Sequence, residues 1–172
     1  MDAYTKACME WLNGRFRLVD AHGVYQPHQP VYGINISDPK LMGTFNQLCL
    51  TYTILLVLAD LDNEVQTLLD VGCAEGYTAH TLANLLFNGT GFRAFGLDLS
   101  VESVLRAQSL YQLPGVVGDI HCLPFRSNAA HLVICSETIE HVVNAQQTLR
   151  ELDRISKNVL LITTPANWDP EA

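Results

Sequence analysis

Between residues 67 and 163 the chain alternates short apolar runs with amphipathic stretches, and this alternation restricts its fold more than any other feature. Thr67-Leu68-Leu69-Asp70-Val71 predicts a buried strand that Gly72 ends. Residues 77–87 predict a helix with Ala79, Leu82, Ala83 and Leu86 on one face and Asn88-Gly89 closing it. Residues 92–97, 115–117, 131–135 and 158–163 read as further strands, and 101–111 and 145–155 as helices. Apolar strands separated by helices need cover on both sides. The pattern predicts an α/β fold: a doubly wound, mainly parallel sheet with helices on both faces. Such sheets bind ligands at the carboxyl ends of their strands, so the residues just after each strand are the ones to inspect for chemistry.

Upstream of the alternation, residues 1–40 carry Trp11, Phe16, Tyr25, Pro27, Pro30, Tyr32 and Pro39. A short helix over 3–13 followed by loop is expected there. Thr44 offers an N-cap, and Phe45, Leu48, Tyr52, Leu55, Leu56 and Ala59 fall three and four apart, predicting a largely buried helix to about residue 61. The chain divides on this reading into an N-terminal helix and aromatic loop at 1–40 and a ligand-binding domain at 41–172. Tyr25, Tyr32 and Gly33 sit in a Pro-flanked loop that suits either a lid over a site or a strap packed on the sheet.

Composition removes several classes. A length of 172 residues suits one domain, or one domain with a small extension, and 48% hydrophobic residues argue against disorder. Ten basic against 18 acidic residues, with no run of Lys or Arg, disfavour a nucleic-acid surface. The longest apolar runs fall far short of the roughly 20 residues a membrane helix needs, so no membrane association is expected. The start of the chain lacks the basic and apolar regions of a signal peptide. Cys8, Cys49, Cys73, Cys122 and Cys135 form no CxxC pair. Reduced thiols in a cytoplasmic protein are the expectation.

Three strand ends carry the chemistry. After the first comes Asp70-Val71-Gly72-Cys73-Ala74-Glu75-Gly76. Its glycines let the backbone turn sharply beside a ligand, and the next helix offers free amides; a plain strand-to-helix corner is the alternative. A dinucleotide fingerprint would want glycine where Ala74 and Tyr77 stand, so that site is disfavoured. The second strand ends in Asp98-Leu99-Ser100. A carboxylate there can accept from both hydroxyls of a ribose, or cap the next helix, a task Ser100 could equally do. The third ends in Gly118-Asp119-Ile120, where a carboxylate beside an apolar residue could receive an exocyclic amine and cover a purine face. Together they describe a site for an adenosine-containing ligand.

The segment 69–76 resembles the first motif of class I S-adenosylmethionine-dependent methyltransferases, and Asp98 matches that family's ribose-holding acid. Gly118-Asp119 followed by Leu123-Pro124-Phe125 resembles the adenine-side segment. Residues 133–142, Val-Ile-Cys-Ser-Glu-Thr-Ile-Glu-His-Val, resemble the fourth-strand segment of the small-molecule branch. Leu149-Arg150-Glu151-Leu152 resembles its next helix, and 160–165 its fifth strand. The resemblance implies a Rossmann-like sheet, S-adenosyl-L-methionine as cofactor, and cofactor contacts from Asp70, Gly72, Cys73, Ala74, Gly76, Asp98, Leu99, Gly118, Asp119, Ile120 and Ser136. The family departs from this chain in having Phe-Asp where Ala130-His131 stands, Lys-Pro-Gly-Gly near Ser156-Lys157-Asn158, and seven strands rather than five.

The resemblance further implies methyl transfer to a small-molecule acceptor. Oxygen is the expected acceptor atom, with His141 as the base that takes the hydroxyl proton. His121 could face the same space; His22, His28 and His80 read as surface histidines. Glu137, Glu140 and His141 resemble the metal-binding segment of small-RNA 2'-O-methyltransferases, but the acidic composition opposes RNA and no metal is expected. A non-catalytic partner subunit and a longer natural protein are the competing readings. The fifth strand would form a sheet edge with apolar residues on both faces, predicting either cover by the N-terminal segment or a homodimer through that edge.

Overall fold

A computed structural model of the protein describes residues 1–25, 41–59, 65–86 and 91–165, with backbone only over 41–46. Helix α1 spans Ala3–Arg15 and α2 Leu41–Leu58. Strand β1 (Thr67–Val71), helix α3 (Tyr77–Leu86), β2 (Arg93–Asp98), α4 (Val101–Tyr111) and β3 (Gly115–Val117) follow. After β3 come β4 (Ala130–Ser136), a 3-10 turn at Ile139–His141, α5 (Ala145–Ile155) and β5 (Ser156–Thr163). The strands form one sheet in the order β3-β2-β1-β4-β5, and every pairing is parallel.

The alternating segments fold as their sequences direct. Leu68, Leu69 and Val71 in β1 and residues 132–135 in β4 are buried, because both sheet faces are covered. On one face Leu68, Leu132 and Ile134 meet Ala79 and Leu82 of α3, Ala107 and Tyr111 of α4, and Ile54 and Leu58 of α2. On the other, Leu69, Val71 and Val133 meet Leu152 and Ile155 of α5. Ser100 caps α4 by accepting from Ser103 N at 3.2 Å, and Asn144 caps α5 by accepting from Gln147 N at 3.0 Å. Helix α5 runs directly into β5, with no turn between Ile155 and Ser156.

Helix α2 differs from expectation. It is already helical from Leu41, which places Thr44 inside the helix rather than at its cap. Thr51, Ile54 and Leu58 are buried, while Leu48, Tyr52 and Leu56 are exposed. The helix is apolar nearly all round, so spacing alone could not choose the buried stripe. Helix α1 packs on α4. Asn13 Oδ1 accepts from Ser100 Oγ at 2.6 Å, Arg17 pairs with Glu102 at 2.7 Å, and Arg106 Nε donates to the Phe16 carbonyl at 3.1 Å. Phe16 is 1% exposed at that seam. The expected cover of β5 by the N-terminal segment is not made by α1. Strand β5 lies at the sheet edge, with Val159 and Leu161 facing one core and Leu160 and Ile162 the other.

Candidate functional site

Sheet order reverses at β1, which has β2 on one side and β4 on the other. The crevice at their carboxyl ends opens into a cavity of about 430 Å³. From β1 the chain turns through Gly72 (φ +82°), Ala74 (φ +47°) and Gly76 (φ +86°). A Cβ on Gly72 would lie 2.2 Å from Thr138 Oγ1, and one on Gly76 2.8 Å from Leu113 Cδ2. Backbone conformation and crowding both require glycine at these two positions. Ala74 holds a left-handed conformation despite its Cβ, and its N–H donates to Asp98 Oδ2 at 2.9 Å.

Asp98 lines the cavity at the end of β2 and is 6% exposed. Its Oδ1 accepts from Ser100 N at 2.9 Å. Burial raises the Asp98 pKa, against hydrogen bonds from Ser100, Ser103, Ala74 and Leu99 that lower it. Capping falls to Ser100, which leaves Asp98 for the cavity.

After β3, Gly118, Asp119, Ile120 and His121 line the same cavity. Asp119 Oδ1 accepts from His121 N at 2.9 Å and sits 2.7 Å from His121 Nδ1. His121 is held in turn by Asn144 N on Nε2 at 3.3 Å and by Gln147 Nε2 on its carbonyl at 2.8 Å. The Leu123-Pro124-Phe125 segment is clamped to α5: Glu151 accepts from Leu123 N at 2.8 Å, and Arg154 donates to the Phe125 carbonyl at 2.7 Å. The Arg154 hydrogen bond is the main reason the Glu151 pKa is lowered.

After β4, Glu137, Thr138 and His141 reach the cavity. Glu137 has φ +50°, and its Oε1 accepts from Thr163 Oγ1 at 3.0 Å. The His141 side chain is 74% exposed at the mouth, with Nε2 3.6 Å from Glu140 Oε1. Among the described residues no group of three His, Cys, Asp or Glu stands close enough to share a metal ion.

Of the residues expected to meet a cofactor, Gly72, Ala74, Asp98, Leu99, Gly118, Asp119 and Ile120 line the cavity together with His141. Asp70, Cys73, Gly76 and Ser136 do not. Asp70 is buried within β1, where burial pushes its carboxyl up to about 7. Cys73 is buried, which raises its thiol pKa, and Gly76 lies against Leu113 and Ala107. Ser136 Oγ lies 2.8 Å from Thr163 Oγ1, and its carbonyl accepts from Thr138 Oγ1 at 3.0 Å, so it places Thr138. Sequence reading missed the wall that α1 supplies through Tyr4, Thr5, Cys8, Trp11 and Leu12. The available signal was Tyr4, Cys8 and Trp11 at helical spacing on one stripe. Tyr25 is described; Tyr32 and Gly33 lie outside the described residues.

Parallel strands in this order, a glycine turn after β1, and carboxylates after β2 and β3 facing one cavity define a nucleoside-binding α/β domain. The sequence matches the family "Methyltransferase domain" over residues 69–159, more than half of the chain, and the chain belongs to this family of class I S-adenosylmethionine-dependent methyltransferases. Norajmaline N-methyltransferase of Rauvolfia serpentina is 31% identical over 124 residues, covering 66% of this chain and 41% of that protein. A chain solved in complex with the Haloferax volcanii Trm112 methyltransferase activator is 29% identical with a TM-score of 0.55, over 70% of this chain and 53% of that one. Geranyl diphosphate C-methyltransferase from Streptomyces coelicolor, solved with Mg2+, geranyl diphosphate and S-adenosyl-L-homocysteine, has a TM-score of 0.64 over 91% of this chain and 61% of that one. Its 17% identity makes that a likeness of fold. The chain spans 41% and 34% of the length of two curated relatives it matches, both N-methyltransferases of Rauvolfia serpentina.

The family's methyl donor is S-adenosylmethionine, and the residues present fit it. Asp98 presents a carboxylate at the cavity wall for vicinal hydroxyls, Asp119 offers a carboxylate for an amine, and Leu97, Leu99 and Ile120 offer apolar surface for a base.

Proposed function

We propose that this chain binds S-adenosylmethionine in the cavity at the strand ends and takes part in methyl transfer to a small-molecule acceptor. The observation that carries the reading is the convergence of Asp98, Asp119 and the Gly72 turn on one cavity. In this reading Asp98 accepts from the ribose hydroxyls, Asp119 from the adenine amine, and residues 72–76 pass beneath the methionine part. The bound cofactor supplies a methyl group on a sulfonium, already a good leaving group, so the protein's task is alignment. Helix α1 forms one wall of the site, with Tyr4 and Trp11 facing the space for the acceptor.

Oxygen is the proposed acceptor atom, with His141 at the mouth as the base. Nitrogen is a second reading with its own support. The Rauvolfia relative is an N-methyltransferase, and the described cavity lining includes Asp98, Asp119 and Glu137 but no Lys or Arg. That lining favours an amine that arrives as its cation over an anion, and the amine gives up its proton to solvent before its lone pair takes the methyl. The acidic balance of the chain opposes an RNA acceptor. No described helix is long and apolar enough to cross a membrane. All five cysteines are unpaired, which supports a cytoplasmic setting.

The test is methyl transfer to a panel of phenols and secondary amines, read by mass spectrometry as the gain of one methyl. A phenol product lost in His141→Ala supports the oxygen reading, and an amine product that survives His141→Ala supports the nitrogen reading. Cofactor binding without transfer to either class would count for a partner-subunit role.

A further inference from the structure

Glu75 lies in the middle of the cofactor turn yet is 0% exposed and does not line the cavity. The Tyr25 hydroxyl donates a hydrogen bond to its Oε1 from 50 residues upstream. Tyr25 is itself held: the Arg106 guanidinium of α4 stacks over its ring at 3.8 Å from the centroid. The same Arg106 donates through Nε to the Phe16 carbonyl, just past the end of α1. Between Phe16 and Tyr25 the chain is shaped by Asp20, whose Oδ1 accepts from His22 N at 2.8 Å and Val24 N at 2.9 Å, and by a bridge between Val19 and Tyr25. The result is a closed path from α1, through a turn, to Tyr25, to Glu75 and the turn that Ala74 and Gly76 flank.

That turn has reason to need an anchor. Ala74 stands in the left-handed region, which L side chains adopt at a cost, and Gly72 and Gly76 have positive φ on either side. On its cavity side the turn is held by Asp98, through Ala74 N. On its buried side it is held through Glu75. A buried carboxylate needs its hydrogen bonds more than an exposed one, so the Tyr25 contact is a strong constraint on where Glu75 sits.

We propose that Tyr25 is a positioning residue for cofactor binding: by anchoring Glu75 it sets the 72–76 turn, and through Arg106 it ties that turn to the segment that carries α1. The proposal rests on the reading of the cavity as the S-adenosylmethionine site. It makes the N-terminal segment a working part of that site, since one contact sets both the floor beneath the cofactor and the α1 wall.

The experiment is a double-mutant cycle of Tyr25→Phe and Glu75→Gln, read by calorimetric titration with S-adenosylhomocysteine. Urea midpoints report folding separately. In a Trp168→Phe background, Trp11 emission reports the α1 wall. Tyr25→Phe is expected to weaken binding about tenfold when Glu75 is retained and less than about twofold when Glu75→Gln is already present. It is also expected to reduce the change in Trp11 emission on ligand addition. Where the urea midpoint falls, titrations are run at a temperature at which every variant is fully folded, so that lost affinity is read on native protein. Affinity within twofold of wild type in Tyr25→Phe, or equal losses with and without Glu75→Gln, would overturn the inference while leaving the cofactor site standing. Wild-type protein that takes up no S-adenosylhomocysteine would overturn the cofactor reading and this inference together.

Discussion

Replacing Asp70 with Asn should make the protein more stable at alkaline pH and leave it nearly unchanged in acid. Asp70 is 3% exposed within the central strand β1. Burial pushes its carboxyl up to about 7 from an ordinary 3.8; the Ala79 N–H opposes the shift, and the Asp98 charge adds to it. The folded state therefore holds this proton more tightly than the unfolded chain. The stability that Asp70 contributes is full below about pH 4 and is lost as pH rises through about 7. Roughly three pKa units at about 1.4 kcal/mol each set an upper limit of about 4 kcal/mol, which relaxation around the charge reduces. Asn keeps an oxygen to accept from Ala79 N and cannot ionise. Urea denaturation at pH 5 and pH 8 measures the effect. Part of that loss has already occurred by pH 5, so Asp70→Asn minus wild type should become more favourable by about 1–2.5 kcal/mol between those pH values. A difference that does not change with pH, or that moves the other way, would refute burial as the cause.

Three further outcomes follow from the site and the sheet. Asp98→Ala releases Ala74 N and Ser100 N and removes the acceptor proposed for the ribose, so affinity for S-adenosylhomocysteine should fall at least about tenfold; unchanged affinity by calorimetry would remove Asp98 from that role. With a hydroxyl acceptor, His141→Ala should lower kcat by about 10²–10⁴ and spare cofactor affinity; equal losses in both would make His141 structural. The β5 edge should either self-associate, seen as concentration dependence in analytical ultracentrifugation, or be covered by the N-terminal segment; a monomer at every concentration, with fast amide exchange over 159–162, would count against both.

Much of the frame was legible because its signals are local. Strand β4 reads as a strand from its apolar run, and Ser100 and Asn144 stand where the helices they cap begin. Asp98 and Asp119 could be placed at one crevice because parallel strands bring their carboxyl ends to one edge, and both line the same cavity. The remainder depends on contacts between distant segments. Nothing around Glu75 announces a partner at Tyr25, and nothing in α1 states that it will dock on α4 through Asn13 and Phe16. The buried face of α2 was hidden for a different reason: the exposed Leu48 and Leu56 are as apolar as the buried Ile54 and Leu58, so only the packed sheet could choose between stripes. The Asp119–His121 pair lay within one short segment, but its orientation depends on Asn144 and Gln147 from α5.

Calorimetric titration of the wild-type chain with S-adenosylhomocysteine tests the central claim most directly. One site per chain is expected, with adenosine binding more weakly at the same site and both lost or weakened in Asp98→Ala. Absence of heat and of any thermal stabilisation at millimolar ligand, with the protein folded, would contradict the assignment of this cavity to the methyl donor.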